Sequence, residues 1–175
     1  MTTPQTAVSM PMLDRWDVFL AALADTDQPR AVFAALETIT KESVGTILFT
    51  AMTHDTGAMR SLRVYSGNEQ AYPVGGWKPL SEGPWKTTVL DGKRPFSALT
   101  IEEIAAVFPD WPLIQSLGCE SAMNLPVIVA GKVIGTLNLL DVKGHYAPAR
   151  VEQAEELVPY AAVAFLTAAR FQTAS

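Results

Sequence analysis

The chain has 175 residues, 49% of them hydrophobic and 18% charged, and 13 Lys+Arg against 18 Asp+Glu leave a formal charge of −5. That composition excludes a disordered chain, and the length suits one domain with a single real core. The acidic balance speaks against holding nucleic acid or anionic lipid by bulk charge, and one cysteine excludes an intramolecular disulfide framework and a multi-thiolate metal site.

Residues 1–12 are rich in Thr, Pro and Met without periodicity and are expected to form a loose tail ahead of one domain over residues 13–171. They carry neither the basic start nor the apolar stretch of a signal peptide, and no apolar run approaches the ~18 residues of a membrane span. The expectation is a cytoplasmic protein without a membrane segment. Leu13, Trp16, Phe19, Leu20 and Leu23 recur at three- and four-residue steps, which predicts an amphipathic first helix. Asp27 and Pro29 predict the start of a second. Asp27 is expected to accept from its first free amides, and Pro29 sits early, where a missing N–H costs nothing. Val32, Phe33, Leu36 and Ile39 supply that helix's apolar stripe.

The period changes after Gly45. Thr46 to Met52 is β-branched, aromatic and apolar on both faces, which predicts a central strand. His54-Asp55-Thr56-Gly57 reads as a turn, and Met59 to Tyr65 as an alternating strand with Ser61, Arg63 and Tyr65 on one side. Residues 66–95 are the least regular, because Tyr72 to Pro79 and Gly83-Pro84-Trp85 interrupt any long element. A short helix from about Pro84 to Leu90 is expected there, closed by Gly92. Thr100 and Glu103 form a capping box for a helix to about Phe108, and a second short helix is expected over Trp111 to Leu117. Ser121 to Val129 and Val133 to Val142 predict a hairpin through Ala130-Gly131-Lys132. Ala149 to Phe171 predicts a long closing helix that Pro159 kinks.

The segments Ser121-Ala-Met-Asn-Leu-Pro-Val127 and Val133-Ile-Gly-Thr-Leu-Asn-Leu-Leu-Asp141, with Gly131 between them, resemble the signature hairpin of the GAF domain family. The element order matches from about Leu13 to Arg170, and the stretch from Tyr65 to Pro79 is similar to that of stand-alone bacterial members. The resemblance implies an α/β (α+β) fold, GAF/PAS-like, with terminal helices on one face of a central antiparallel sheet. On the other face it implies loops and short helices that close a small-molecule pocket. The expected role is that of a sensor or regulatory domain in signalling, and because the sequence shows no helix-turn-helix, kinase or cyclase segment, any signal is expected to pass to a separate protein or through a dimer. Physical argument points the same way: the sheet's second face needs a cover, only the aromatic middle segment is available, and a cover of loops leaves cavities.

Each candidate residue has two readings. Tyr65, Tyr72, Trp77 and Trp85 either wall a pocket, with Tyr OH and Trp N–H as polar handles, or simply keep an irregular loop packed. Asn124, Asn138 and Ser121 in the signature hairpin either meet a ligand or satisfy one another across strands. Arg63, on the same alternation as Tyr65, either holds a carboxylate in bidentate fashion or guards a sheet edge. The expected partners are a small organic ligand and a second copy, in a homodimer through the first and last helices.

The alternative is a small enzyme in which Cys119, Tyr65, Ser121 and His145 converge on the same pocket, with Cys119 and His145 as the catalytic candidates. A catalytic thiol needs a lowered pKa, which the adjacent Glu120 opposes. The cysteine pair of the GAF-type free methionine-(R)-sulfoxide reductases is missing, and Glu120 stands where bilin-binding relatives commonly carry a histidine after their cysteine. The Asn-Lys…Phe…Asp-Glu pattern of cyclic-nucleotide-binding members does not occur. His54 and His145 both read as turn residues, and Gly75-Gly76 near Lys78 offers an anion nest without the rest of a Walker motif. No metal or cofactor is expected.

Overall fold

A computed structural model describes residues 12–171. The expected tail lies outside the described residues except for Met12, where the first helix begins. In chain order the elements are α1 (Met12–Leu23), α2 (Arg30–Ser43), β1 (Leu48–Asp55), β2 (Arg60–Ser66), β3 (Lys78–Pro79), α3 (Pro84–Lys86), β4 (Phe96–Ala98), α4 (Ile101–Ala105), α5 (Trp111–Ser116), β5 (Ser121–Val129), β6 (Lys132–Asp141), α6 (Pro148–Ala154) and α7 (Val158–Phe171). One sheet of six strands runs in the order β3-β2-β1-β6-β5-β4, and every neighbouring pair is antiparallel.

The sheet's two faces do different work. Phe49 and Ala51 of β1, Met123 and Leu125 of β5, and Leu137 and Leu139 of β6 point to one side. There they meet Phe19 of α1, the stripe Val32, Phe33, Leu36 and Ile39 of α2, and Ala161, Ala164 and Phe165 of α7. Burying a side chain such as Phe33 stabilises by about 1.5–3 kcal/mol, so this layer holds the fold together. Phe33 and Phe165 meet edge to face at 5.2 Å. Gly135 lies under that contact, and a Cβ at this position would collide with the Phe165 ring.

On the opposite face α3, α4, α5 and their loops form the cover. Ala98, Ile104, Ile114, Cys119 and Ala122 make a second, smaller core there, with Phe96, Phe108 and Leu140 packed against it. The capping box holds α4 in place: Glu103 N donates to Thr100 Oγ1 at 3.3 Å, and Leu99 N donates to Glu103 Oε2 at 2.6 Å. The β5–β6 hairpin turns on Ala130 and Gly131, both at positive φ (49° and 76°), the geometry of a two-residue type I′ turn.

Several expectations need correction. β1 continues to Asp55, so His54 is a strand residue and the turn lies at residues 56–59. A bulge between Ala51 and Met52 pairs Ala51 with Tyr65 but Met52 with Arg63, which sends Arg63 and Tyr65 to opposite faces. Asp27 makes no side-chain cap for α2, which begins after Pro29. Two edge strands, β3 and β4, were not expected. The closing helix is two helices joined by a 3₁₀ turn at Glu155–Leu157, placed just before Pro159 because Pro159 has no N–H to continue the α-helical ladder. α4 ends at Ala105, short of Phe108.

Candidate ligand-binding site

Between the sheet and its cover lies a cleft of about 220 Å³. Alternation along the strands builds its floor: Leu48, Thr50 and Met52 from β1, Ala122 and Asn124 from β5, and Asn138 and Leu140 from β6. Trp85, Phe108 and Ile114 come down from the cover, and Arg63, Tyr72 and Asp110 also line it. At ~30 Å³ for each water in the liquid, the space suits a small molecule rather than a chain segment.

A ladder of amides crosses the floor. Asn124 and Asn138 face each other directly in the β5–β6 register, and Asn138 faces Thr50 in the β1–β6 register. Trp85 Nε1 donates to Asn124 Oδ1 at 2.9 Å, Asn124 Nδ2 donates to Asn138 Oδ1 at 2.7 Å, and Asn138 Nδ2 donates to Thr50 Oγ1 at 3.4 Å. Each Asn amide has two N–H groups and uses one in this ladder, so the floor is both fixed in orientation and still able to donate. The ladder also ties the cover to the sheet through the Trp85 indole. Trp85 follows Gly83, whose φ of 154° suits glycine, and precedes a π-helical turn at Thr87–Asp91.

A second polar group sits beside the first. Arg63 lies 4.9 Å above the Tyr72 ring, its Nη1 donates to Pro73 O at 3.1 Å, and Tyr72 OH donates to Asp110 Oδ2 at 2.7 Å. Burial pulls the Arg63 guanidinium below its ordinary value, against the opposing pull of Tyr72 and Asp110. Burial, followed by the bond to Asp110, pushes the Tyr72 phenol up.

The structure therefore brings Arg63, Tyr72, Trp85, Asn124 and Asn138 to one cleft. It places the other candidates elsewhere. Tyr65 lies on the helix side of the sheet, because the bulge turns it there. Its ring packs against Phe33 and Phe49, each at 5.8 Å, and its OH donates to Glu37 Oε2 at 2.5 Å. Trp77 is 40% exposed, with the Arg60 guanidinium 4.2 Å over its ring. Ser121 Oγ donates to Ala98 O at 2.8 Å and accepts from Tyr146 N at 3.2 Å, holding β4 and the loop before α6 against β5. Cys119 is buried in the smaller core, and burial, with a lesser push from Asp141, raises its thiol to about 11. His145 Nε2 lies 3.0 Å from Val44 O and 3.6 Å from Asp141 Oδ2, at the end of α2. None of Cys119, Tyr65, Ser121 and His145 lines this cleft. Among the described residues, no group of three or more His, Cys, Asp or Glu is placed to hold a metal ion.

Thr50, Asp110 and His54 were missed by sequence reading. Thr50 was hidden in a strand read as apolar on both faces, and His54 in a supposed turn. Asp110 carries no signal in the sequence. His54 Nδ1 lies 2.7 Å from Ser61 Oγ and Nε2 2.9 Å from Thr136 Oγ1, and its ring meets Trp85 edge to face at 5.7 Å. Met52, Trp85 and Phe108 line both the cleft and a second hollow beside His54.

Burial lowers the His54 pKa to about 4. An unfolded chain, with its histidine near ~6.5, takes up the proton first. The stability this neutral histidine contributes is therefore complete above pH ~6.5 and declines as pH falls toward the folded value. Urea unfolding at pH 7.5 and 5.0 is expected to differ by about 1–2 kcal/mol more in the wild type than in His54→Gln. Equal differences in the two proteins would contradict this.

A family model described as GAF domain matches residues 30–165. Solved structures similar to this chain include the GAF domain of a phosphoenolpyruvate-protein phosphotransferase from Coxiella burnetii, at 16% identity and TM-score 0.65, covering 95% of this chain and 98% of that one. The GAF domain of a two-component sensor histidine kinase from Bacillus halodurans is 12% identical at TM-score 0.64, covering 81% of this chain and 96% of that one. Free methionine-R-sulfoxide reductase from Neisseria meningitidis, in complex with its substrate, is 14% identical at TM-score 0.55, covering 89% and 88% of the two chains. Among curated proteins, none matches the sequence.

Proposed function

The chain belongs to the GAF domain family, and on that premise we propose that it is a small-molecule sensor of the cytoplasm that takes its ligand in the cleft between the sheet and the segment from Tyr72 to Ile114. The observation that carries this reading is the cleft itself, about 220 Å³ of space floored by the Asn124–Asn138 ladder and covered by Trp85. Space of this kind, apolar with a few convergent polar groups, is where small molecules bind. Among the similar folds, one belongs to a sensor histidine kinase and another is a structure with substrate bound, and the analogy supports a regulatory, ligand-binding role.

The binding residues are then Arg63, Tyr72, Trp85, Asn124 and Asn138. In the working form we place two copies together through the terminal helices, where Trp16, Val18 and Leu20 of α1 and Leu166 and Phe171 of α7 leave apolar surface exposed. Nuclear magnetic resonance of ¹⁵N-labelled protein titrated with a small-metabolite extract tests the ligand reading. A saturable shift of the Trp85 indole and the Asn124 and Asn138 side-chain amides is expected, and it should weaken in Ala122→Leu, which fills the cleft. Unmoved signals would contradict it. Sedimentation velocity tests the assembly, with twice the chain mass expected and a monomer the contrary result.

A further inference from the structure

We infer that the molecule this cleft takes is a small organic acid, its carboxylate held by Arg63 and its uncharged body lying over the Asn124–Asn138 amides. The inference rests on the reading of the cleft as a ligand site and names the chemistry of its ligand.

Arg63 is an unusual side chain for its position. The β1–β2 bulge puts it on the cleft side of the sheet, opposite Met52. One edge of its guanidinium is occupied, because Nη1 donates to Pro73 O at 3.1 Å. Nε is buried without a partner, and Nη2 makes no hydrogen bond among the described residues. Nor does Arg63 take part in any ion pair among those residues, whereas Arg15 and Arg60 do. A guanidinium keeps its charge at any physiological pH, and leaving that charge partly desolvated without an anion is costly. Nη2 is the donor left for an arriving carboxylate, in a charge-assisted hydrogen bond beside the buried Nε. The ring of Tyr72 and the carbonyl of Pro73 hold the guanidinium in place, so little freedom remains to be lost when an anion meets Nη2.

The rest of the cleft narrows the class. Among the described residues Arg63 is the only cation lining it, and Asp110 lines it as well. Asp110 repels any anion, and a phosphate dianion more strongly than a single carboxylate; the dianion would also want a second cation, whereas the carboxylate needs one guanidinium. Asp110 accepts from Tyr72 OH at 2.7 Å and, among the described residues, makes no ion pair with Arg63. Leu48, Met52, Phe108, Ile114 and Leu140 offer the body of the ligand apolar contact, and the free N–H groups of the two asparagines can meet one uncharged acceptor. The protein's overall charge of −5 gives this site no help, so the preference for an anion is local to Arg63.

The test compares acids with their uncharged amides. Benzoate and 3-methylbutanoate are titrated against benzamide and 3-methylbutanamide at pH 7, and the Trp85 indole signal gives each dissociation constant. The acids are expected to bind about tenfold or more tighter than the amides, a preference that Arg63→Gln removes and Arg63→Lys keeps in part. The comparison within the wild type needs no variant to fold. If acids and amides bind alike, or if Arg63→Gln retains the preference, the acid inference is overturned while the cleft stands as a binding site. If neither class moves the indole signal, the ligand-site reading falls and the inference with it.

Discussion

Replacing Phe165 by Ala is expected to lower the unfolding free energy by about 3–5 kcal/mol. Phe165 is 3% exposed and stands where α7 meets the sheet, against Phe33 of α2 and over Gly135 of β6. Its loss opens a void that two helices and a strand share, and a close-packed core collapses only partly into such a space. Gly135→Ala pushes a methyl group into a ring that Phe33 keeps from retreating, which is expected to cost about 1–3 kcal/mol by overpacking. In the Phe165→Ala background the same methyl group enters the void. The double variant is therefore expected to be more stable than the sum of the two single effects allows. Urea unfolding followed by far-ultraviolet circular dichroism measures all three, and simple additivity would contradict the packing described for this layer.

Asn124→Leu is expected to cost about 2–4 kcal/mol, although it replaces a polar side chain with an apolar one of similar size. Two groups lose their partners at once: the Trp85 indole N–H that donates to Asn124 Oδ1, and Asn138 Oδ1, which accepts from Asn124 Nδ2. Asn124 is 7% exposed, so water replaces those partners poorly. Trp85→Phe in the same background removes one orphan donor, and the second substitution is expected to cost less there than in the wild type. With Trp16, Trp77 and Trp111 replaced by Phe, fluorescence adds a second readout, since release of the Trp85 indole from the ladder exposes it to water and shifts its emission to the red. A loss under about 0.5 kcal/mol, with the emission unchanged, would mean that the ladder does not tie the cover to the sheet.

Periodicity made the helix side of the fold legible. The three- and four-residue steps of Phe19, Val32, Phe33, Leu36 and Ile39 are the spacing of faces that must be buried, and the structure buries them. The hairpin from Ser121 to Asp141 was equally legible, because alternation, Gly131 and strand-forming residues all agree there. Arg63 and Tyr65 were not. A bulge adds one residue to a strand and reverses every alternation beyond it, and nothing in the residues Leu62, Arg63, Val64 and Tyr65 marks which of them is extra. His54 and Asp55 carry turn chemistry, yet pairing with Ser61 and Arg60 extends the strand through them. Strands as short as Lys78–Pro79 and Phe96–Ala98 hold too few residues to show a period. Within the cleft, the asparagines and Trp85 were visible as polar and aromatic residues in the right segments. Their joining into one ladder depends on strand register and on where the cover lands, which are properties of the assembled sheet.

Ligand binding here requires space between the sheet and its cover that the protein's own side chains leave open. A crystal structure of the protein soaked with benzoate tests for that space. The molecule is expected to lie over Asn124 and Asn138, beneath Trp85, with its carboxylate on Arg63. Trp85 and Phe108 packed down onto the two asparagines, with no room between them and no benzoate bound, would contradict it.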